Sequence, residues 1–317
     1  MPLTAARPWL IAVLLGLLAL SPAHAGMTPE EVKAFEGYKA QAEKGGRAAQ
    51  FLLGYHYANG EGVAKDQVQA VSWYRKAAEQ GLAEAQFNLG YHYANGTGVA
   101  KDQVQAVSWY RKAADQGYAA AKYNLGNHYA FGTGVAKDEV QAVSWYRKAA
   151  EQGLPRAKYN LGVCYANGTG VAKDHVQAVS WYRKAAEQGY GQAQHNLGLN
   201  YFNGEGVAKD FVQAVSWWRK AAEQGLAEAQ INLGYCYENG TGVAKDEIEA
   251  YAFYNLAGIT IDQGRENLAI LEKMMSSDAR LLGQQRTKQL QKEIEGRLET
   301  LEDLRKAAEK ESLRKGA

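Results

Sequence analysis

The segment "VAKDQVQAVSWYRKAAEQG" begins at Val63 and recurs almost unchanged at Val99. It returns with one or two changes at Val135, Val171 and Val207, so that the step is always 36 residues. A fixed period of this size is typical of repeat proteins, in which each unit buries its apolar face only by stacking on its neighbours. The segment therefore predicts a chain built from stacked copies of one short structural unit.

One such unit, residues 83–118, contains two helical patterns separated by a glycine-rich turn. The first pattern, "AEAQFNLGYHYA", places Ala85 and Leu89 at helical spacing on one stripe. The turn "NGTG" ends this helix, and Asp102 then has the position and chemistry of an N-cap residue. The second pattern, "QVQAVSWYRKAADQ", has a wide apolar face that includes Trp109 and can contact two neighbours. The unit is therefore predicted to be a helix–loop–helix.

A glycine recurs in the middle of the first helix of every unit. Glycine costs about 1 kcal/mol relative to alanine at such a position. Its repetition predicts that a neighbouring helix passes too close to leave room for a Cβ atom. The positions are Gly54, Gly90, Gly126, Gly162, Gly198 and Gly234.

The pattern A-x-A-x-x-x-L-G-x-x-Y-x-x-G-x-G-V-x-x-D, followed by A…W-Y-x-K-A-A-x-x-G, resembles the Sel1-like repeat, a relative of the tetratricopeptide repeat. The resemblance implies an all-α fold, an α/α solenoid or superhelix of antiparallel helix pairs that serves as a platform for protein partners. It covers residues 47–262 as six repeats with these ranges: 47–82, 83–118, 119–154, 155–190, 191–226 and 227–262.

The first 25 residues have the pattern of a secretory signal peptide. Arg7 precedes an apolar run at residues 9–20, and Ala23-His24-Ala25 predicts cleavage before Gly26. The run is shorter than the roughly 20 apolar residues that span a bilayer, so we expect no transmembrane anchor. The sequence predicts export to the periplasm.

The two ends of the repeat array are predicted to be caps, which repeat proteins need to cover their terminal apolar faces. Residues 26–46 contain one helical pattern in register with the second helix of a repeat, and this predicts an N-terminal capping helix. Residues 263–317 are predicted to form C-terminal capping and amphipathic charged helices, of which the last packs at its start and frays at its end.

The chain carries 36 basic and 34 acidic residues, a formal net charge of +2. This balance argues against a nucleic-acid partner, because phosphate binding needs a concentrated basic surface. Cys164 and Cys236 lie two repeats apart, beyond the ~7 Å between Cα atoms that a disulfide tolerates. We expect both to be buried thiols with no disulfide between them.

Three histidines share one slot of successive repeats, and this alignment invites a metal site. They are His56, His92 and His128. Stacked helices lie ~8–10 Å apart, whereas zinc needs its ligands about 2.0–2.3 Å away. The slot is therefore predicted to hold satisfied, partly buried side chains, with no metal and no cofactor.

In tetratricopeptide relatives the first helices line the concave surface. By this resemblance, the side chains that vary on the first helices are expected to form an aromatic-rich groove for a partner protein, with asparagines as a ladder of amides. The alternative is that the aromatic rings pack helix against helix and the asparagines bond locally. The candidate partner-binding residues are Glu84, Phe87, Asn88, Tyr91, Tyr123, Asn124, Arg156, Tyr159, Asn160, His195, Asn196, Asn232 and Tyr235.

No nucleophile–base pair with a plausible pocket emerges from the sequence, so we expect no catalytic residue. The resemblance suggests several non-enzymatic functions for an exported member. The most specific is an immunity-type inhibitor that neutralises a toxic, phospholipase-like effector of type VI secretion in the periplasm. The alternatives are an envelope scaffold or adaptor associated with the cell wall or with secretion machinery, and a hydrolase acting on cell-wall material or β-lactams.

Overall fold

A computed structural model describes residues 28–316, which are all-α with no β-strand. The predicted signal peptide, residues 1–25, lies outside the described residues. The chain divides into two compact units, Met1–Lys101 and Asp102–Ala317. Within each unit, consecutive helices pack against one another. The predicted all-α class of stacked helix pairs is confirmed.

Unit 1 contains a leading helix followed by three repeat helices. In each repeat we call the first helix A and the second helix B. The helices of unit 1 are α1 (Pro29–Glu43), α2 (Arg47–Asn59), α3 (Gln67–Glu79) and α4 (Ala83–Asn95).

Unit 2 contains the remaining B and A helices and two further helices after the last repeat. They are α5 (Gln103–Asp115), α6 (Ala119–Phe131), α7 (Glu139–Glu151), α8 (Pro155–Asn167), α9 (His175–Ala186), α10 (Gly191–Asn203), α11 (Phe211–Ala222), α12 (Ala227–Asn239), α13 (Glu247–Gly258), α14 (Asp262–Glu272) and α15 (Ser277–Gly316).

The turn between helices A and B is fixed by glycine at one end and aspartate at the other. Helix α4 ends at Gly96, whose left-handed φ of 73° stops the helix. The Asp102 carboxylate accepts hydrogen bonds from the N–H groups of Val104 and Gln105 at 2.9 and 3.0 Å, as the predicted N-cap requires. The same pair of signals recurs in every repeat, so both helix boundaries are set by local chemistry.

The second glycine of each turn brings successive repeats into contact. Gly98 has a positive φ of 70°, and a Cβ atom there would overlap the carbonyl oxygen of Gln67 at the start of α3. Gly134 meets the carbonyl of Gln103 in the same way at the start of α5. Each turn therefore rests on the N-terminus of the preceding B helix, and only glycine fits there.

The glycine in the middle of helix A makes room for an aromatic ring of helix B. A Cβ atom on Gly126 would lie 2.5 Å from the Tyr146 ring, and one on Gly162 would lie 2.7 Å from the Tyr182 ring. Tyr146 is 3% exposed, so this contact belongs to the core. The predicted close approach of a neighbouring helix is confirmed.

Helix B has an alanine-rich buried face and a tryptophan at its edge. In α5, Ala106, Tyr110 and Ala113 are buried. Trp109 is only half-buried, and the ammonium of Lys112 lies 3.8 Å from the centre of its ring. The tryptophan, predicted on the buried stripe, therefore sits at the margin of the core under a cation–π contact.

Helix α1 occupies the place that a preceding B helix would take. A Cβ atom on Gly62 would overlap the carbonyl of Glu31, which repeats the relation of Gly98 to Gln67. Phe35 is buried and contacts the ring of Tyr57 edge-on at 5.4 Å. The start of unit 1 is therefore covered.

At the other end, α14 and the first part of α15 pack on α13. A Cβ atom on Gly283 would lie 2.5 Å from the Tyr251 ring, and Arg286 Nε donates to Glu249 at 2.6 Å. Leu290 is buried, whereas Leu304 is exposed. The predicted packed start of this helix is confirmed, and the helix itself continues to Gly316.

Candidate protein-binding surface

In unit 1, the candidate residues of α4 all reach the surface to some extent. Glu84 is exposed and Tyr91 is 52% exposed. Phe87 and Asn88 are half-buried. These four side chains belong to one helix and fit the predicted position on a helix A surface.

In unit 2, the candidate residues lie on α6, α8, α10 and α12. Arg156 and Tyr235 are exposed, and Tyr235 keeps 48% of its surface in contact with solvent. The half-buried candidates are Tyr123, Asn124, Tyr159, Asn160, His195, Asn196 and Asn232. No candidate residue belongs to the buried core, as a binding surface requires.

Three tyrosines and one arginine of unit 2 lie in the N-terminal halves of α6 and α8 and at the N-cap of α10. We call Tyr123, Arg156, Tyr159 and Tyr190 the Tyr–Arg patch. The rings of Tyr159 and Tyr190 lie 5.3 Å apart. Burial raises the pKa of Tyr190, Tyr123 and Tyr159 raise it further, and the positive charge of Arg156 lowers it. Tyrosine and arginine are the residue types in which interface binding energy concentrates.

Tyr190 was not predicted as a site residue. It caps the start of α10, at a slot that holds leucine in the flanking repeats at Leu154 and Leu226. The slot alternates between leucine and tyrosine, since Leu82, Leu154 and Leu226 share it with Tyr118 and Tyr190. It lies one residue before the helix, outside the stripe of varying residues on the A helices.

Three of the candidate asparagines, Asn160, Asn196 and Asn232, form hydrogen bonds within the protein. Asn160 Nδ2 donates to Asn127 Oδ1 at 3.4 Å, and Tyr146 Oη donates to the same oxygen at 2.8 Å. Asn196 hydrogen bonds to the hydroxyls of Tyr159 and Tyr182 and thereby lowers the pKa of each, against the larger effect of burial. Each of these amides binds groups of the preceding repeat.

Asn232 follows the same rule, since its amide lies 3.1 Å from Nε2 of His195 in the preceding repeat. Burial lowers the pKa of His195, and Glu228 partly offsets this. The alternative that the asparagines form local hydrogen bonds therefore describes Asn160, Asn196 and Asn232. Binding of a partner by the asparagines stays a prediction. Asn160, Asn196 and Asn232 each connect one A helix to the A helix of the preceding repeat.

A second aromatic group gathers around α10 and α11; we call it the repeat-five cluster. The ring of Phe202 lies 5.0 Å from Phe211, 5.3 Å from Trp218 and 6.2 Å from Tyr235. Trp218 is 2% exposed, but Phe211 is 36% exposed. Of these four residues only Tyr235 was predicted, although the other three also depart from the repeat and so carried a signal.

The histidine slot is satisfied by the protein itself. His56, His92 and His128 are buried, and each Nδ1–H donates to a turn carbonyl five residues later at 2.6–2.7 Å. Asn200 fills the same slot and donates to Glu205 O at 3.1 Å. The predicted satisfied, partly buried slot is confirmed. Among the described residues, no three His, Cys, Asp or Glu side chains are grouped so that they could hold a metal ion.

Cys164 and Cys236 occupy the remaining places of that slot as buried free thiols, as predicted. Burial raises the pKa of each to about 11. A thiol with so high a pKa is almost fully protonated at neutral pH and is a poor nucleophile. These cysteines therefore act as small core side chains.

The fold and this surface define a class: an α-helical repeat protein that presents aromatic and arginine side chains on its A helices. The family model for the Sel1 repeat matches residues 47–82, 83–118, 119–154, 155–190, 191–226 and 227–258. The chain therefore belongs to the Sel1 repeat family. Sel1 repeats are protein-interaction scaffolds, and the family is generally non-enzymatic.

Solved structures of similar proteins include a Sel1 repeat protein from Oxalobacter formigenes. It is 39% identical over 72% of this chain and 91% of its own, with a TM-score of 0.66. The protective antigen c5321 of uropathogenic Escherichia coli is 32% identical over 86% of this chain and 75% of its own, with a TM-score of 0.38. The immunity protein Pa5087 of Pseudomonas aeruginosa is 24% identical over 76% of this chain and 84% of its own, with a TM-score of 0.42.

A search of functionally curated proteins found no match. None of the helices between residues 28 and 316 combines the length and apolar character needed to cross a bilayer.

Proposed function

We propose that this chain is exported and binds a protein partner through the A-helix surface of unit 2. Its most specific function would be that of an immunity-type inhibitor, neutralising a phospholipase-like type VI effector in the periplasm. The observation that carries the proposal is the Tyr–Arg patch. It supplies three aromatic rings and a guanidinium at the surface of a protein-interaction scaffold.

The rigidity of the patch supports tight binding. Tyr159 packs against Tyr182 at 5.8 Å and against Tyr190 at 5.3 Å, so its ring has lost most of its freedom before any partner arrives. Binding then costs less conformational entropy, which is how preorganised surfaces reach high affinity. An inhibitor that must act on each toxin molecule benefits from such affinity.

Export is supported by the first 25 residues, whose basic start, apolar run and Ala-His-Ala end have the order of a signal peptide. Cell fractionation tests this step alone. We expect the protein in the periplasmic fraction and its mature chain to begin at Gly26. Recovery of an unprocessed protein from the cytoplasm would refute the export step but leave partner binding open.

The partner is tested by asking whether a phospholipase-like effector is encoded beside the gene for this chain. We expect the purified pair to elute together, and we expect co-expression to protect cells from the effector directed to the periplasm. A pair that elutes separately, with no protection, would refute the immunity role.

The surface is tested by variants that leave the fold intact. Tyr190→Leu restores the residue found at Leu154 and Leu226, and Arg156→Ala removes an exposed side chain. We expect each to weaken binding about tenfold or more, since loss of a hot-spot side chain costs about 2 kcal/mol. Lys137→Ala is the matched control, because its exposed ion pair with Glu139 contributes little. Full affinity in both patch variants would refute the assignment of the surface.

A further inference from the structure

One slot of helix A holds glutamine in the first two and last two repeats and lysine in the third and fourth. The glutamines are buried, and the side-chain amide of each donates to a backbone carbonyl near the end of the preceding helix, over distances between 3.1 and 3.4 Å. A buried amide at this slot therefore ties each of these repeats to the helix before it. The glutamines are Gln50, Gln86, Gln194 and Gln230.

Lys122 and Lys158 fill this slot in the third and fourth repeats; we call them the central lysine pair. Both side chains are half-buried, and their ammonium groups donate to the side-chain oxygens of Gln152 and Gln188 at 3.0 and 2.9 Å. Two successive repeats thus have a half-buried charge where the other four have a buried neutral hydrogen bond. Packing between helices does not explain this exchange, because glutamine already satisfies it elsewhere in the chain.

The positive charge of the central lysine pair is not neutralised by the chain itself. Among the side chains that the structure describes, no carboxylate forms an ion pair with either ammonium. Burial lowers the pKa of Lys158, the positive charge of Lys184 lowers it further, and the negative charge of Glu187 offsets this in part. Positive potential therefore dominates around Lys158.

The A helices of unit 2 differ in charge along the array. Helices α6 and α8 contain three Lys or Arg residues, namely Lys122, Arg156 and Lys158, and no acidic residue. Helix α12 contains Glu228 and Glu238 and no Lys or Arg. A partner that binds these helices therefore meets a basic surface at α6 and α8 and an acidic one at α12.

We propose that the central lysine pair binds an acidic segment of the partner protein, with one carboxylate at Lys122 and another at Lys158. This inference rests on the proposed function, since it gives the chemistry of the partner at the same A helices. Helices α6 and α8 are in contact through Asn127 and Asn160. Helices in contact lie ~8–10 Å apart, and an extended chain advances about 3.3 Å per residue. Two acidic residues three positions apart in an extended segment match this spacing.

A labelled peptide tests the inference without the effector. The peptide contains four copies of Glu-Gly-Ser, and its control contains four copies of Gln-Gly-Ser. Fluorescence polarisation at low ionic strength should show that only the glutamate peptide binds, and added salt should weaken this binding. Lys122→Gln and Lys158→Gln restore the residue of the other repeats. We expect each to weaken binding about threefold and the double variant about tenfold, as for exposed ion pairs.

Lys173→Gln is the matched control, because it removes the same charge from an exposed lysine in the turn after α8. It should leave the affinity for the glutamate peptide nearly unchanged. The thermal midpoint of the double variant should not fall, since glutamine can form the buried hydrogen bond that the other repeats have. A lower midpoint would show that the two lysines serve packing and would overturn the inference.

Equal affinity for the two peptides, unchanged affinity in the double variant, or an equal loss in Lys173→Gln would also overturn it. Binding to phosphatidylglycerol vesicles in preference to the glutamate peptide, lost in the double variant, would assign the lysine pair to a lipid surface and refute an acidic protein segment.

The proposed function and this inference fail in different ways. If the effector and the chain elute separately while the glutamate peptide binds through the lysine pair, the immunity role is refuted and the inference stands. If the effector binds the double variant at full affinity, the inference is refuted and the proposed function stands.

Discussion

The Gly126→Ala variant tests why glycine recurs in the middle of helix A. In the structure, the ring of Tyr146 on helix B packs directly against the backbone at Gly126. The new Cβ atom would lie 2.5 Å from Tyr146 Cδ1, where carbon atoms prefer about 3.5–4.0 Å. The ring cannot easily turn aside, because Tyr146 is 3% exposed and its hydroxyl donates to Asn127 at 2.8 Å. The structure must therefore absorb the clash by moving a helix.

Two opposing effects determine the magnitude. Alanine is a better helix former than glycine by about 1 kcal/mol. Overpacking of a well-filled core costs about 1–3 kcal/mol. We expect Gly126→Ala to lower the free energy of unfolding by up to about 2 kcal/mol. At Gly37 of α1 nothing lies within 4 Å of the added atom, so Gly37→Ala should raise the stability by about 1 kcal/mol.

Urea unfolding followed by circular dichroism measures both changes as shifts of the transition midpoint, in opposite directions. Tyr146→Leu provides a further control, since removal of the ring should make Gly126→Ala favourable in that background. If Gly126→Ala stabilised the protein as much as Gly37→Ala does, the close-approach explanation of the recurrent glycine would be refuted.

Three further predictions concern the histidine slot, the thiols and the helix caps. Burial lowers the pKa of His128, so the unfolded chain binds a proton more readily and stability should fall as the pH drops through about 6.5. His128→Asn, which copies the donor at Asn200, should flatten this dependence in urea titrations at several pH values; an unchanged slope would contradict it. Cys164 and Cys236 should react slowly with iodoacetamide at pH 7 and rapidly in denaturant, as followed by mass spectrometry, and fast labelling of the folded protein would contradict their burial. Asp138→Ala should cost about 1 kcal/mol of stability by removing the acceptor of the Gln141 N–H, whereas Asp138→Asn should cost little; equal thermal midpoints would argue against the cap.

The features that the sequence predicted well are those set by neighbours within one repeat. Asp102 accepts from N–H groups two and three residues later, and Gly96 ends a helix through its own backbone angles. The steric demand on Gly126 was also predictable, because a costly residue repeated at one slot implies a fixed obstacle. In each case the residue type and its position within the repeat are enough to predict its structural role.

The hydrogen bonds of the surface could not be predicted in the same way. Whether Asn160 meets a partner or the preceding repeat depends on how far one repeat is rotated against the next, and the spacing within a repeat does not contain that angle. Trp109 shows the same limit, since helical spacing places it on the apolar stripe but cannot say that Lys112 covers its outer face.

The fifth repeat, residues 191–226, differs from the other repeats at Phe202, Phe211 and Trp218, and these differences have two explanations. Trp218, where other repeats have tyrosine, is almost fully buried, and its Nε1 donates to the carbonyl of His195 at 3.1 Å. Phe202 packs on the indole of Trp218 at 5.3 Å. These changes compensate one another in the core and need no partner.

Phe211 is different, because core compensation does not explain a ring that is 36% exposed. It contacts Phe202, as does the 48% exposed Tyr235. The other repeats have a polar or charged residue at this slot: Gln67, Gln103, Glu139, His175 and Glu247. Phe211→Gln should therefore change the thermal midpoint little, since glutamine suits this helix start elsewhere in the chain. If the proposed partner binds this surface, the same change should weaken the complex about tenfold, measured by calorimetry against Val212→Ser, a neighbouring exposed side chain. A large loss of stability in Phe211→Gln would show that the ring serves packing, and unchanged affinity would place the partner elsewhere.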